Sequence, residues 1–207
     1  MAGPRRINPP ELLWLAIFFA VLLWSSIAPK DRTVWFLEVA PALGALLVLA
    51  FSYRRYPLTP LANWLILGHC LILMVGGHYT YAEVPLFDQI SQQLGWSRNN
   101  YDKLAHFVQG FVPALVAREI LVRNQAVSGE GWLKLFVVSF CLAFSALYEL
   151  VEWWVALLSE QAADAFLGTQ GYVWDTQSDM FMALLGALIA AVTLRRPHDR
   201  QLQRSAW

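Results

Sequence analysis

The chain has 207 residues, of which 57% are hydrophobic and 14% charged, and its formal net charge is zero. Soluble domains average about 25% charged residues and nucleic-acid-binding domains carry a basic excess, so the composition excludes an ordinary soluble domain and argues against a nucleic-acid partner. The two cysteines, Cys70 and Cys141, stand in apolar runs without metal-ligand spacing and imply no disulfide framework. We therefore predict a membrane protein.

Apolar runs of the length that crosses a bilayer, about 20 residues, predict six transmembrane helices. We expect an all-α bundle that forms a single membrane-embedded domain over residues 1–207. The first run could instead be a signal peptide, but no small-residue cleavage pattern follows it, so we expect a retained helix. The predicted spans are approximately 12–28, 34–51, 61–77, 101–122, 132–158 and 179–194.

The stretch 83–96, between the third and fourth spans, is amphipathic. Leu86, Ile90 and Leu94 recur in it at helical spacing. This pattern predicts a short helix that lies on the outer membrane surface.

Cationic residues predict the orientation of the six spans. An even number of spans puts both termini on one side, and that side receives 11 of the 15 Lys and Arg residues. Because cytoplasmic loops are enriched in Lys and Arg, we expect both termini in the cytoplasm. The 11 residues are Arg5, Arg6, Arg54, Arg55, Arg118, Arg123, Lys134, Arg195, Arg196, Arg200 and Arg204. The other side has Lys30, Arg32, Arg98 and Lys103.

With this orientation, polar side chains of the third to sixth spans gather in the outer half of the membrane, and the first two spans add only Glu38. Spacings of three or four residues place the polar residues of each span on one helix face. The main members are Asp102, Lys103, His106 and Gln109 in the fourth span, Glu149 and Glu152 in the fifth, and Asp175 and Asp179 at the start of the sixth.

The acids of this layer outnumber the cations near them, which are Lys103 and, if protonated, His106 or His78. Charges inside a membrane are costly and generally face partners or a cavity. Three explanations remain open: a bound divalent metal, zinc or magnesium; protonated carboxyl groups, as in a proton relay; or solvation by interfacial water.

Each motif also has a purely structural interpretation. Asp102 and Asp175 stand at predicted helix starts and could be N-caps. Lys103 could pair with Glu149 or Glu152 and join two helices. His106 lies too deep to be a cap, so it has either a ligand role or a satisfied buried hydrogen bond.

The segments that flank the sixth span differ in character. The loop from Ser159 to Trp174 contains Gly168 and Gly171 and could fold over the polar layer as a lid, or it could be an aromatic interfacial loop. His198 follows the last span and is expected to be solvated.

Arg118 and Glu119, near the inner end of the fourth span, are expected to snorkel or to pair locally.

Three runs, RNNYDKLAHFVQGFVPALVAREIL, ALYELVEWW and FLGTQGYVWDTQSDMFMALLGA, resemble the YjdF-like family of bacterial inner-membrane proteins, a family of unknown function. The likeness covers most of the chain and is strongest from Arg98 to Ala187. More loosely, DKLAHF, the acidic helix and the D-x-x-x-D start of the last span are similar to VanZ-like membrane proteins, which are associated with glycopeptide resistance. The resemblance implies a multispanning inner-membrane protein but supplies no reaction. The residues that match the family's polar motifs are Asp102, Lys103, His106, Glu149, Glu152, Gln170, Asp175, Gln177 and Asp179.

The polar layer is compatible with two main functions. The first is a metal-assisted hydrolase or transferase on a lipid or envelope substrate, although the chain has no HExxH motif, nucleophile elbow or P-loop. Its catalytic residues would be His106, Glu149 and Asp102, and its metal ligands would come from Asp102, His106, Glu149, Glu152, Asp175 and Asp179. Its substrate or lipid contacts would be Lys103, Gln109, Gln170 and Trp174.

The second function is non-catalytic: binding of membrane lipid, or organisation of the envelope. A proton-coupled transporter is a third hypothesis, which six spans without an evident repeat disfavour.

Overall fold

The structure, a computed structural model, describes residues 8–158 and 173–204, and within them the chain forms eight helices and no strand. Six of these helices are long and apolar enough to cross a membrane, which confirms the all-α membrane bundle. The helices are α1 (Pro9–Ser26), α2 (Arg32–Ser52), α3 (Pro60–Tyr79), α4 (Pro85–Leu94), α5 (Tyr101–Arg123), α6 (Glu130–Leu158), α7 (Asp175–Thr193) and α8 (Arg195–Arg204).

Two spans, α1 and α7, begin earlier than the apolar runs suggest. Helix α1 starts at Pro9, where the Asn8 backbone N–H donates to Glu11 Oε2 at 2.7 Å and proline occupies the first turn. Helix α7 starts at Asp175, four residues before the predicted boundary at Asp179. Asp175 and Asp179 therefore both project from the first turns of α7.

The predicted amphipathic stretch is helix α4. Its Leu86 and Leu94 side chains are 61% and 58% exposed, so an apolar face points away from the bundle, as expected of a helix at a membrane surface. On the other side, the buried hydroxyl of Ser91 donates to the carbonyl of Arg98 at 2.8 Å. This contact fixes the loop that leads into α5.

Two larger apolar cores organise the spans, and a third, around Tyr81 and Tyr101, lies where the ends of α3 and α4 meet α5. Helices α1, α2 and α3 bury one core around Phe18, Val39 and Met74. Helices α5, α6 and α7 bury the other around Cys141 and Ala187, and contacts between α3 and α5 join the two groups. The polar residues predicted to form a site lie mainly in the second group.

Helices α5 and α7 touch through their backbones. A Cβ atom added at Gly110 would stand 1.8 Å from the carbonyl oxygen of Ala183, and one added at Gly186 would stand 2.0 Å from the carbonyl oxygen of Phe107. Small residues allow this approach between membrane helices. Among the described helices no other pair packs as extensively, so the first turns of α5 and α7 lie side by side.

The C-terminal segment folds back onto the bundle, so the expectation that His198 is solvated is wrong. His198 lies in α8 and is fully buried, with Nε2 3.1 Å from Glu119 Oε2 and Nδ1 2.8 Å from Arg118 Nη1. A buried carboxylate such as Glu119 requires hydrogen-bond donors, and α8 supplies one of them. Glu119 thus has a distant partner that local pairing did not predict.

Candidate functional site

Polar side chains from several helices meet at the end of the bundle where α5 and α7 begin. We call this group the acidic cluster; it comprises Arg98, Asp102, Lys103, His106, Gln109, Glu149, Glu152, Asp175 and Asp179. Neither α5 nor α7 has a side-chain hydrogen bond at its N-cap, Asn100 or Trp174. The N-cap positions are Asn100 and Trp174, so Asp102 and Asp175 lie inside the helices and the interpretation of these two acids as N-caps is wrong. Their carboxyl groups belong to the acidic cluster.

Lys103 of α5 connects the cluster to α7. Its Nζ lies 2.7 Å from Oδ1 of Asp175 and 2.7 Å from Oδ1 of Asp179. These two acids are one helical turn apart and share a face, so one ammonium group reaches both. The sequence predicts partners on α6 for Lys103, and the structure gives it these two carboxylates of α7.

Arg98 is a member of the cluster that sequence reasoning missed. Its Nη1 donates to Asp175 Oδ1 at 2.8 Å, and its Nη2 lies 4.0 Å from Asp102 Oδ2. Arg98 belongs to the loop between α4 and α5, which is held by Ser91. Its position four residues before Asp102 was only a weak signal, because Arg98 lies in the loop before α5 and not on the helix itself.

His106 is buried at the centre of the cluster. Its Nδ1 lies 2.8 Å from Gln109 Oε1, and because a carbonyl oxygen only accepts, Nδ1 carries the proton. Nε2 then faces Asp102, whose Oδ1 is 3.4 Å away. Asp102, His106 and Asp179 each offer a donor atom, and these atoms all lie within 4.8 Å of one another.

Glu149 enters the cluster from α6 with an unsatisfied oxygen. The residue is only 8% exposed, and its Oε1 has no hydrogen-bond partner among the described residues. The nearest cationic candidate is His106, with Nδ1 3.8 Å from that oxygen. Glu152, one turn further along α6, lies close enough to Glu149 and His106 to interact electrostatically with both.

Helix α2 contributes to this region through Glu38, which is 8% exposed. The hydroxyl of Tyr148 donates to Glu38 Oε2 at 3.3 Å, and Glu38 interacts electrostatically with Asp102 and His106. Tyr81, which follows α3, is also buried here, and burial raises the pKa of its hydroxyl well above the ordinary value. Tyr81 therefore stays neutral beside the carboxylates.

Other predicted members lie elsewhere. The Nδ1 atom of His78 is 3.0 Å from the carbonyl oxygen of Ser25, so this histidine binds the end of α1. Trp174 is 61% exposed at the start of α7, and its lipid contact stays a prediction. Gln170 and the proposed lid fall in 159–172, outside the described residues.

The charges of this region are unequal. Among the described residues of this region there are six carboxyl groups, and three of them, on Asp102, Asp175 and Asp179, contact the cations of Arg98 and Lys103. The carboxyl groups belong to Glu38, Asp102, Glu149, Glu152, Asp175 and Asp179. Such a site can bind a divalent cation, retain protons, or do both.

Comparison with known proteins gives two consistent matches. Residues 10–200 match the family described as "Predicted membrane protein (DUF2238)". The chain is 55% identical over 184 residues to the inner membrane protein YjdF of Escherichia coli strain K12, covering 89% of this chain and 88% of that protein. No solved structure matches the chain. Together with six apolar helices, these matches identify an integral, multi-pass inner-membrane protein: the chain belongs to the DUF2238 family of predicted membrane proteins, whose function is unknown.

Proposed function

We propose that the acidic cluster binds a divalent metal ion and uses it to activate water for hydrolysis or group transfer on a lipid or envelope substrate. The observation that carries this proposal is the convergence of Asp102, His106 and Asp179, whose donor atoms lie within 4.8 Å of one another. A histidine nitrogen with carboxylate oxygens favours zinc over magnesium, which prefers oxygen ligands and water.

The neighbours of these three residues support a catalytic rather than a structural metal. Three protein ligands leave a fourth position for water, as in catalytic zinc sites. Gln109 holds the proton on Nδ1 of His106 and so directs Nε2 toward the ion, which is the usual role of a residue that orients a metal ligand. The metal lowers the pKa of its water and polarises a substrate oxygen.

Glu149 and Lys103 have distinct roles in this proposal. The unsatisfied Oε1 of Glu149 is the acceptor for the proton that the water loses. Lys103, between Asp175 and Asp179, supplies positive charge beside the negative charge that develops on the substrate. Substrate approach from the membrane is consistent with the placement of all these residues on transmembrane helices.

The test is the metal content of the full-length protein, purified in detergent without chelators and measured by mass spectrometry. We expect about one zinc ion per chain in the wild type. The ion should be lost in His106→Ala and Asp102→Asn, because each variant removes one of the three proposed ligands. His78→Gln is the matched control, since His78 binds a backbone carbonyl outside the cluster. A folded wild type that is metal-free and takes up no added zinc would refute the proposal.

A non-catalytic headgroup-binding function has one specific observation in its favour. Arg98 and Lys103 both contact Oδ1 of Asp175, and this pair of cations could exchange the carboxylate for a lipid phosphate. In that case the purified wild type carries lipid instead of metal, and Lys103→Gln loses the lipid. Native mass spectrometry of the same samples distinguishes the two functions.

A further inference from the structure

The C-terminal helix α8 is attached to the bundle by one of its faces. His198 points into the bundle and contacts Glu119 of α5. Three residues further along, Gln201 Oε1 accepts a hydrogen bond at 2.9 Å from the backbone N–H of Leu61, in the first turn of α3. Helix α8 therefore runs from the end of α7 across α5 to the start of α3, over one end of the bundle.

The opposite face of α8 carries three exposed arginines at intervals of four residues. A helix turns about 100° per residue, so these positions lie about 160–240° around the helix from His198. Neighbouring members are about 6 Å apart along the helix axis. We call this set the arginine face; it comprises Arg196, Arg200 and Arg204.

The arginine face has no partner in the part of the chain that the structure describes. None of its members forms a hydrogen bond or an ion pair with a described residue. The carboxylates of α8 and of the neighbouring ends of α5 and α6 each contact two other basic side chains. These carboxylates belong to Glu119, Glu130 and Asp199. Uncompensated positive charge is therefore left on the outward side of α8.

Membrane topology alone does not account for this arrangement. Lys and Arg residues orient a membrane protein by their number in a loop, and this requires neither a helix nor a common face. Here the contacts of His198 and Gln201 hold α8 so that its arginines point away from the bundle. The chain thus presents a fixed row of cations to the aqueous phase.

The bilayer surface and nucleic acids are poor partners for this face. A helix that lies in the membrane interface buries an apolar face, and Leu202 is the only large apolar side chain of α8. Because α8 covers the end of the bundle, its outward side faces water. Nucleic-acid binding depends on more phosphate contacts than three arginines provide.

We propose that the arginine face docks an acidic helix of a water-soluble protein. Glu or Asp residues at intervals of four residues on such a helix have the same spacing of about 6 Å, so three carboxylates can each meet one guanidinium group. Arginine suits this role because its planar group binds a carboxylate through two N–H donors. The acidic cluster lies at the other end of α5, so this proposal does not depend on the metal site.

The experiment measures peptide binding to the full-length protein in nanodiscs of phosphatidylcholine. Two stapled helical peptides of identical composition are the probes: one has three glutamates at intervals of four residues, and the other has them spread around the helix. We expect the wild type to bind the first peptide about tenfold more tightly, since only that peptide forms all the ion pairs at once. The triple variant Arg196→Gln/Arg200→Gln/Arg204→Gln should bind both peptides equally weakly.

The double variant Arg54→Gln/Arg55→Gln is the matched control. These two arginines follow α2, and like the arginine face they are exposed and have no ion pair with a described residue. Their replacement should leave the preference for the first peptide unchanged.

Equal binding of the two peptides by the wild type would overturn the proposal, and this comparison does not depend on the folding of any variant. A preference that survives the triple variant would also overturn it, as would a preference that Arg54→Gln/Arg55→Gln abolishes. If phosphatidylglycerol in one third of the nanodisc lipid prevents peptide binding, the arginine face contacts the bilayer and the proposal is wrong.

Discussion

Two buried glutamates show how different a carboxylate's surroundings can be within one bundle. Glu119 is fully buried and accepts hydrogen bonds from the Thr59 backbone N–H at 2.9 Å and the Thr59 hydroxyl at 2.7 Å. Arg123 and His198 also contact it, each at 3.1 Å. Glu149 is nearly as buried, yet its Oε1 has no partner among the described residues. Glu119 is therefore a structural acid, whereas Glu149 is available to a ligand.

This contrast predicts opposite effects on stability. Replacing Glu119 by Ala leaves several buried donors unpaired and should lower the free energy of unfolding by about 3–5 kcal/mol. Glu149→Gln removes a poorly satisfied charge and should leave stability unchanged or higher. Thermal unfolding in detergent, followed by circular dichroism, measures both.

Glu83→Ala is the control, because Glu83 forms an exposed ion pair with Lys30 and such pairs contribute little. A Glu119→Ala protein with the same unfolding temperature as the wild type would contradict the structural role of Glu119.

At the residue scale, the sequence predicted those members of the acidic cluster whose positions depend on helix geometry alone. The spacing of Asp102 and His106 placed them on one face of α5, and the structure brings them together. Arg98 and His198 were misjudged because their positions depend on tertiary contacts. Arg98 is held by the hydrogen bond from Ser91 of α4 to its backbone carbonyl, and His198 is buried because α8 folds back onto the bundle and brings the ring to Glu119 of α5.

At the scale of elements, the contact between α5 and α7 sets the geometry of the acidic cluster. We expect Gly110→Ala and Gly186→Ala each to lower the free energy of unfolding by about 1–3 kcal/mol, because the added methyl group meets backbone rather than a flexible side chain. Both variants should also bind metal more weakly, since separation of the helices moves Asp179 away from His106. Thermal unfolding and metal titration of the same samples provide the two measurements.

Gly68→Ala in α3 is the matched control for these variants, because a Cβ atom there meets nothing within 4 Å. It should unfold like the wild type. If Gly110→Ala and Gly68→Ala behave alike, the close contact between α5 and α7 is not what holds the cluster together.

The long helices were predictable because each contains an apolar run of membrane-spanning length. Helix α8 was not predictable in this way, since residues 195–204 are strongly charged and contain no apolar run. Its structure arises from pairing with buried groups of α5, and hydropathy does not register such pairing. The approach of α5 to α7 was equally hidden, because two single glycines far apart in the chain do not form a local motif.

At the scale of the whole molecule, the cationic residues predict that both termini are cytoplasmic. Ser97 lies in the exposed loop before α5, and Ser128 lies in the exposed loop after it. In spheroplasts, a membrane-impermeant maleimide should label Ser97→Cys at once and Ser128→Cys only after permeabilisation. The parent chain gives the background, because Cys70 and Cys141 are buried. Labelling of Ser128→Cys in intact spheroplasts would reverse the proposed topology.

The pairing of α5 with α7 also has a consequence for biosynthesis. These are the two least apolar spans, with mean hydropathies of 1.3 and 1.4 against 2.1 for α2. Asp179 follows Lys103 by 76 residues, and at about 5–20 residues per second roughly 4–15 s pass before the ribosome delivers it. During that interval Lys103 has no partner on α7, so we expect the insertion machinery to shelter α5 until α7 emerges.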